Sequence, residues 1–201
     1  MTLPKEDIEA VRSRILDAAG RRFRQYGFGK TTMAEIAGDC DMSAANLYRY
    51  FENKEDIGAA MASQCLTQKA EVLMAVVRDA TLTPTGKIEA YFVSNLRYTH
   101  GQWAERPRMN ELVDHICHKR VDLVDDYLSR HRAMLKTILQ EGIDAGEFEP
   151  CDVDEVAEAL KASMFMFDYP NAMNACRIPL EAFEHKARGV ARLVLSGLRE
   201  R

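Results

Sequence analysis

The fold of this 201-residue chain is decided by residues 31–57, which have the sequence TTMAEIAGDCDMSAANLYRYFENKEDI. Thr32 and Glu35 have the three-residue spacing of a capping box, in which each side chain satisfies a backbone N–H of the other residue. This pair predicts that a short second helix begins after Thr32 and runs from Met33 to Asp39.

A tight turn is predicted directly after this helix, at Cys40–Ser43. Asp41 tolerates a left-handed backbone better than most residues other than glycine, and Ser43 can cap the next helix with its hydroxyl. We therefore expect a third helix from Ala44 to Tyr50. Asn53 is another cap, followed by acidic residues where the helix dipole favours them, and it predicts the start of a fourth helix.

The rest of the chain has the apolar spacing of amphipathic helices. Apolar residues recur at three- and four-residue steps in a first helix that Gly27 ends, and again through the C-terminal part as far as Leu198. No segment has the sustained two-residue alternation of a strand. The sequence therefore predicts an all-α fold of about nine helices. We expect an N-terminal three-helix domain, residues 1–53, joined to a larger helical domain, residues 54–201.

Three short helices of this kind can present one helix to DNA. The third helix fits a major groove about 12 Å wide while another helix crosses the backbone. Its first side chains are short enough to approach base edges, and Asn46 can make paired hydrogen bonds with adenine. Neighbouring hydroxyl and cationic groups, with the N–H groups that begin the second helix, can bind phosphates. The candidate DNA-binding residues are Thr31, Thr32, Ser43, Ala44, Ala45, Asn46, Tyr48, Arg49, Tyr50 and Lys54.

The same stretch closely resembles the TetR family of bacterial transcription regulators. The resemblance rests on Ile36-Ala37, Met42-Ser43, Leu47-Tyr48-Arg49-Tyr50-Phe51 and Asn53-Lys54-Glu55. It implies that residues 43–50 are the recognition helix and that Tyr48, Tyr50 and Lys54 contact phosphates. It also implies that the C-terminal domain binds a ligand and forms a dimer. Asp41 departs from the family pattern, which often has glycine in this turn.

Composition excludes several other classes of protein. Hydrophobic residues are 47% and charged residues 29% of the chain, values typical of a globular protein. No apolar run approaches the roughly 20 residues that cross a bilayer, and residues 1–10 lack a secretory signal, so we expect a cytoplasmic protein without a membrane partner. The five cysteines are scattered without a CxxC pair, which favours free thiols. The net charge of −4 gives the whole chain no electrostatic signature of nucleic-acid binding.

Two further motifs resemble other kinds of site. Gly29-Lys30-Thr31 matches the end of a phosphate-binding loop, but that loop needs a glycine where this chain has Arg24. His115, Cys117 and His118, beside Asp114, have spacings found in metal sites, although no further ligand is indicated. We expect no cofactor, no metal and no catalytic residue, hence no enzyme. A metal-responsive regulator of the same fold stays open as an alternative.

Aromatic residues and methionines are frequent in the C-terminal domain, where most should pack in the core. Residues 164–167 are apolar on every side of one helical turn, which indicates that they face two surfaces. One of these surfaces could line a cavity for a small apolar or aromatic effector. Asp168 and Arg97 are either polar groups of this cavity or surface charges, and His131 is either a core histidine or a hydrogen-bond donor to the ligand. The candidate ligand-binding residues are Tyr91, Phe92, Leu96, Trp103, Met109, Leu112, Ile116, His131, Met164, Phe165 and Asp168.

Small residues in the last two helices favour close packing between two copies of the chain, as a four-helix bundle. A homodimer presents two recognition helices and predicts a pseudo-palindromic DNA operator. The hypothesis is a repressor that an effector releases from DNA, with the fourth helix as a lever. An activator of the same fold is the alternative. A helical enzyme or carrier, and a DNA-binding architectural dimer without a ligand, are the rivals from other classes.

Overall fold

The computed structural model of the protein describes residues 5–103, 106–169 and 178–198. Within these ranges the chain forms ten α-helices and no strand, which confirms the predicted all-α class. The helices are α1 Lys5–Tyr26, α2 Met33–Asp39, α3 Ala44–Leu47, α4 Lys54–Arg78, α5 Pro84–Trp103, α6 Pro107–Lys119, α7 Val121–Asp144, α8 Val153–Ser163, α9 Phe165–Asp168 and α10 Leu180–Leu198. None of the helices in these ranges has both the length and the apolarity needed to cross a membrane.

The chain forms two compact units. Of the described residues, the first unit contains 5–65 and 106–123, and the second contains 66–103, 124–169 and 178–198. Helix α6 therefore packs with the N-terminal helices, although it follows α5 in the sequence. The predicted limits of the N-terminal three-helix domain, 1–53, and of the larger helical domain, 54–201, stay a prediction.

The first unit is built on the apolar face of α1. Ile15 and Phe23 of this helix are fully buried, together with Ile36 of α2 and Leu47 of α3. Gly27 ends α1 as predicted, because its φ of 92° turns the chain out of the helix while its N–H still bonds to the carbonyl oxygen of Phe23 at 3.0 Å.

The second unit has two adjoining apolar clusters. The larger one joins residues of α4, α5, α7, α8 and α10, including the fully buried Leu73, Tyr91 and Leu135. The smaller one contains Leu96, Phe167, Phe183 and Ala187. The sequence pattern continues the eighth helix through Phe167, but the structure ends α8 at Ser163 and begins the one-turn helix α9 after Met164.

Candidate nucleic-acid interface

The start of α2 is held by the predicted capping box. The Glu35 N–H donates to Thr32 Oγ1 at 3.3 Å, and the Thr32 N–H donates to Glu35 Oε2 at 2.8 Å. Hydrogen bonds from the backbone and then the hydroxyl of Thr32 lower the pKa of Glu35. Glu35 therefore stays ionised and keeps the first turn of α2 in place.

The turn between α2 and α3 also has the predicted geometry. Asp41 has a φ of 54°, in the left-handed region, and the Met42 N–H donates to the carbonyl oxygen of Ala37 at 3.0 Å. Ser43 then caps α3, since its hydroxyl oxygen accepts the Asn46 N–H at 3.2 Å. Aspartate thus occupies the left-handed position where glycine is often found.

Helix α3 is shorter than predicted. It ends at Leu47, and residues 48–50 form tighter turns, with the Tyr50 N–H bonded to the carbonyl oxygen of Leu47 at 2.9 Å. A residue from outside the helix contacts this segment: the Arg12 guanidinium donates to the Tyr50 carbonyl and lies 4.1 Å from the Phe51 ring. The next helix begins three residues later, where Asn53 Oδ1 accepts the Asp56 N–H at 2.8 Å.

Seven of the ten candidate DNA-binding residues lie together on α3 and the turn after it. Tyr48 is 53% exposed, and Leu47 and Phe51 are buried beneath this segment as anchors. The other members are exposed or half-buried. We call this set the α3 surface, and it consists of Ser43, Ala44, Ala45, Asn46, Tyr48, Arg49 and Tyr50.

The remaining three candidates have internal hydrogen bonds. Thr31 is buried and its hydroxyl donates to the Gly27 carbonyl oxygen at 2.9 Å, so its side chain faces the protein interior. The Thr32 hydroxyl is bonded to Glu35 within the capping box. Lys54 Nζ donates to the carbonyl oxygens of Phe28, at 2.7 Å, and Thr31, at 2.9 Å. Phosphate contacts by Thr31, Thr32 and Lys54 stay predictions.

Two side-chain contacts in the first unit have no local sequence signal. Arg22 of α1 makes a bidentate pair with Asp39 of α2, with N···O distances of 2.6 and 2.8 Å, and this hydrogen bonding lowers the pKa of Asp39. Glu111 of α6 accepts the Gly29 N–H at 3.1 Å. A Cβ on residue 29 would lie 2.5 Å from the Glu111 carboxylate, so glycine permits this approach. The first contact joins α1 to α2, and the second joins α6 to the segment between them.

The candidate ligand-binding residues are divided between the two units. Met109, Leu112 and Ile116 are buried in the first unit, and a Cβ on Gly58 would lie only 2.8 Å from the Leu112 side chain and 3.2 Å from that of Ile116. The structure therefore uses α6 as part of the core of the first unit. A role of these three residues in ligand binding stays a prediction.

The candidate ligand-binding residues in the second unit differ in their exposure to solvent. Phe92, Leu96 and Met164 are fully buried, whereas Phe165 is 62% exposed and stacks on Tyr169 with a centroid distance of 5.5 Å. The side chain of Trp103 lies outside the described residues.

An open groove of about 540 Å³ lies between α4 and α7, and no candidate residue lines it. Its lining residues are Thr67, Ala70, Glu71, Met74, Ala75, Arg78, Arg130, Ala133, Met134 and Thr137.

A group of buried polar side chains surrounds Asp168. Its carboxylate accepts hydrogen bonds from Lys69 Nζ, Lys161 Nζ and the Tyr127 hydroxyl. His131 lies beside this group, with its ring 4.3 Å from that of Tyr127. Burial favours the neutral acid, but the ammonium groups of Lys69 and Lys161 outweigh it and hold the pKa of Asp168 below its ordinary value.

His131 and Tyr91 form a neutral pair at the edge of this group. The Tyr91 hydroxyl and His131 Nδ1 are 3.0 Å apart, and both residues are fully buried. Burial lowers the pKa of His131 to about 3 and raises that of Tyr91. The imidazole is therefore uncharged near neutral pH.

The histidine and cysteine cluster of α6 does not form a metal site among the residues that the structure describes. No three groups of the ligating types converge within them. His118 Nδ1 lies 2.7 Å from the Asp114 carbonyl oxygen, and His115 Nε2 lies 3.8 Å from Glu55 Oε1. Burial raises the pKa of Cys117, which keeps it a thiol.

The short α2, the left-handed turn and the capped α3 define a helix-turn-helix protein. Comparison of the sequence with models of known protein families identifies its family. The model of "Bacterial regulatory proteins, tetR family" matches residues 15–61, and that of "Tetracyclin repressor-like, C-terminal domain" matches residues 84–187. The chain belongs to the TetR family.

Individual relatives agree with this assignment. The HTH-type transcriptional repressor KstR2 of Mycobacterium tuberculosis is 25% identical over 154 residues, which cover 74% of this chain and 75% of KstR2. The regulator TtgR of Pseudomonas putida is 23% identical over 175 residues, with coverages of 84% and 80%. FadR of Bacillus subtilis, solved in complex with stearoyl-CoA, has the same fold, with a TM-score of 0.70, 21% identity and coverages of 93% and 99%. The chain is a DNA-binding transcription regulator and not an enzyme.

Proposed function

We propose that the protein is a cytoplasmic repressor whose homodimer binds a pseudo-palindromic operator and leaves it when a small apolar or aromatic effector binds the second unit. The observation that carries the proposal is the α3 surface. It combines a base-reading amide with phosphate-binding groups, on a helix anchored by Leu47 and Phe51.

Each part of the α3 surface has a role in this proposal. Ala44 and Ala45 allow the backbone to approach the bases, and Asn46 reads one base pair through its amide. Tyr48, Arg49 and Tyr50 bind phosphates and fix the position of the helix without reading sequence.

The dimer is supported by apolar and small side chains on α8 and α10. Leu193 of α10 is 72% exposed, and Ala159 of α8 is also exposed, so a protomer alone presents them to water. A second copy packed through the same helices would cover them in a four-helix bundle. Two α3 surfaces would then face half-sites about one turn of DNA apart or more.

Release by an effector requires that it binds one conformation better than the other. An effector with a roughly 100-fold preference shifts the equilibrium by about 2.7 kcal/mol. Helix α4 supplies a continuous connection, because its residues 54–65 belong to the first unit and its residues 66–78 to the second. FadR provides a precedent for a small-molecule ligand in this fold.

The assignment of the α3 surface is tested by two substitutions and a control. Operators selected from random duplexes by the wild-type protein are compared with those selected by Asn46→Ala and Tyr48→Phe. We expect Asn46→Ala to relax preference at one base pair of each half-site and Tyr48→Phe to weaken all duplexes equally. Tyr26→Phe is the matched control, since Tyr26 is 49% exposed but lies on α1. Equal, sequence-blind losses from both variants would refute the role of Asn46.

A further inference from the structure

Three side chains of the buried polar group are charged, and burying charged groups costs free energy. Lys69, Lys161 and Asp168 have side chains that are 5%, 8% and 9% exposed. Removing three charges from water carries a desolvation penalty that ion pairing only partly offsets, so such a group is weak evidence for a role in stability. Buried charge clusters with shifted pKa values are common at binding sites.

The charges within this set do not cancel. Two ammonium groups meet one carboxylate, and the neighbouring His131 is neutral because burial lowers its pKa to about 3. These four side chains together carry a formal charge of +1. A ligand carboxylate in the place of that of Asp168 would keep both ammonium groups paired with an anion, whereas a cation there would add a third positive charge.

Two buried polar atoms beside the group have no hydrogen-bond partner among the described residues. They are His131 Nε2 and Asn95 Oδ1, and both residues are fully buried. Asn95 lies one turn after Tyr91 on α5, and its amide nitrogen bonds to the Phe167 carbonyl oxygen at 3.3 Å. Buried polar atoms without a partner are rare in native proteins, and a bound polar molecule is one cause.

The members of the group lie on helices of very different length. Lys69 belongs to the 25-residue helix α4 and Lys161 to the 11-residue helix α8. Asp168 lies at the end of the four-residue helix α9, and the next residue, Tyr169, has extended backbone. A helix of one turn has little cooperative stability of its own. Displacing Asp168 therefore disturbs less structure than displacing either lysine.

We propose that the second unit binds a small molecule with a carboxylate and an aromatic or apolar body, and that its carboxylate replaces that of Asp168 between Lys69 and Lys161. The Tyr127 hydroxyl and the Nε2–H tautomer of His131 donate to the same carboxylate. The body of the molecule packs against the aromatic side chains nearby. The role of this molecule as the effector of DNA release rests on the proposed function. Its binding to the second unit does not depend on that function.

The proposal is tested with three probes that share one aromatic body. They are 2-naphthylacetate, 2-naphthylethanol and 2-naphthylethylamine, and their dissociation constants for the full-length protein are measured by calorimetry without DNA. We expect the carboxylate to bind at least about tenfold more tightly than the alcohol, since charge-assisted hydrogen bonds are the stronger ones. The amine should bind most weakly. No binding of the carboxylate, or equal affinity for all three probes, overturns the proposal.

Substitutions locate the binding on the buried group. Asp168→Asn removes the internal competitor and should raise affinity for the carboxylate about tenfold. Lys161→Met should weaken the preference for the carboxylate, because one of the two ammonium groups is lost. Lys186→Met is the matched control because Lys186 is an exposed lysine of α10. A preference in Lys161→Met as large as in wild type overturns the assignment, and the wild-type probe series tests the proposal if a variant does not fold.

The failure of this inference is distinguishable from failure of the proposed function. Calorimetry without DNA, with the Lys161→Met variant, reports on ligand binding at the buried group, and operator selection without ligand reports on DNA binding. Carboxylate binding that leaves operator affinity unchanged would retain the site and remove its role in DNA release.

Discussion

Acid should destabilise the protein through His131, which is buried without charge. An unfolded chain has an ordinary imidazole pKa of about 6.5, whereas burial lowers that of folded His131 to about 3. Between these values the unfolded state binds a proton that the folded state does not. The contribution of His131 to the free energy of unfolding is therefore complete above about pH 6.5 and is lost as the pH falls toward about 3.

The size of this effect follows from the same two pKa values. Linkage gives a slope of about 1.4 kcal/mol per pH unit within this window, or about 2 kcal/mol between about pH 6.5 and about pH 5. The measurement is urea unfolding followed by circular dichroism at several pH values and one protein concentration. The hydrogen bond to Tyr91 can be kept in His131→Gln, which should lose this part of the pH dependence.

His185→Gln is the matched control, because His185 is exposed on α10, and it should keep the wild-type pH dependence. The carboxylates with lowered pKa values, Asp168 among them, lose their contribution only near and below their unfolded values, which are about 4. In the upper part of the pH range between the two pKa values of His131, the carboxylates therefore contribute little to the pH dependence of the free energy of unfolding, and His131 dominates it. A wild-type protein equally stable at about pH 7 and about pH 5, or a His131→Gln variant as acid-sensitive as wild type, would refute this reasoning.

Two further predictions concern the first unit. Arg49→Gln should reduce the slope of log affinity for DNA against log salt concentration by about 0.9 per subunit, because one phosphate contact is lost. Filter binding at several salt concentrations measures it, with Lys186→Gln as control, and an unchanged slope would remove Arg49 from the interface. Lys54→Met should lower the free energy of unfolding by about 2 kcal/mol, because two carbonyl oxygens lose a charged donor. An unchanged free energy of unfolding would contradict this structural role of Lys54. If Lys54→Met also reduces the salt dependence of DNA binding, Lys54 contacts a phosphate as well.

The local signals in the sequence predicted the start of the helix-turn-helix correctly. Thr32 with Glu35, Asp41 and Ser43 each act on backbone groups within four residues, so their effect depends little on the rest of the fold. The same holds for the end of α1 at Gly27.

Features that depend on distant residues were not predictable in this way. The segment after α3 is contacted by Arg12, which is 38 positions away from the carbonyl it binds. Lys69 and Asp168 are 99 positions apart, and Glu111 reaches Gly29 over 82 positions. Residue types and helical spacing indicate which face of a helix is buried, but not which partner it meets. For this reason the candidate ligand-binding residues were divided between two units.

Binding to genomic DNA shows whether the α3 surface lies in the major groove of a duplex. The purified protein is mixed at low salt with duplex fragments of the genome that encodes it, and retained fragments are sequenced. We expect that a small set is retained and that these fragments share a pseudo-palindromic sequence protected in its major groove. Retention of no fragment, with or without added metabolites, would contradict it.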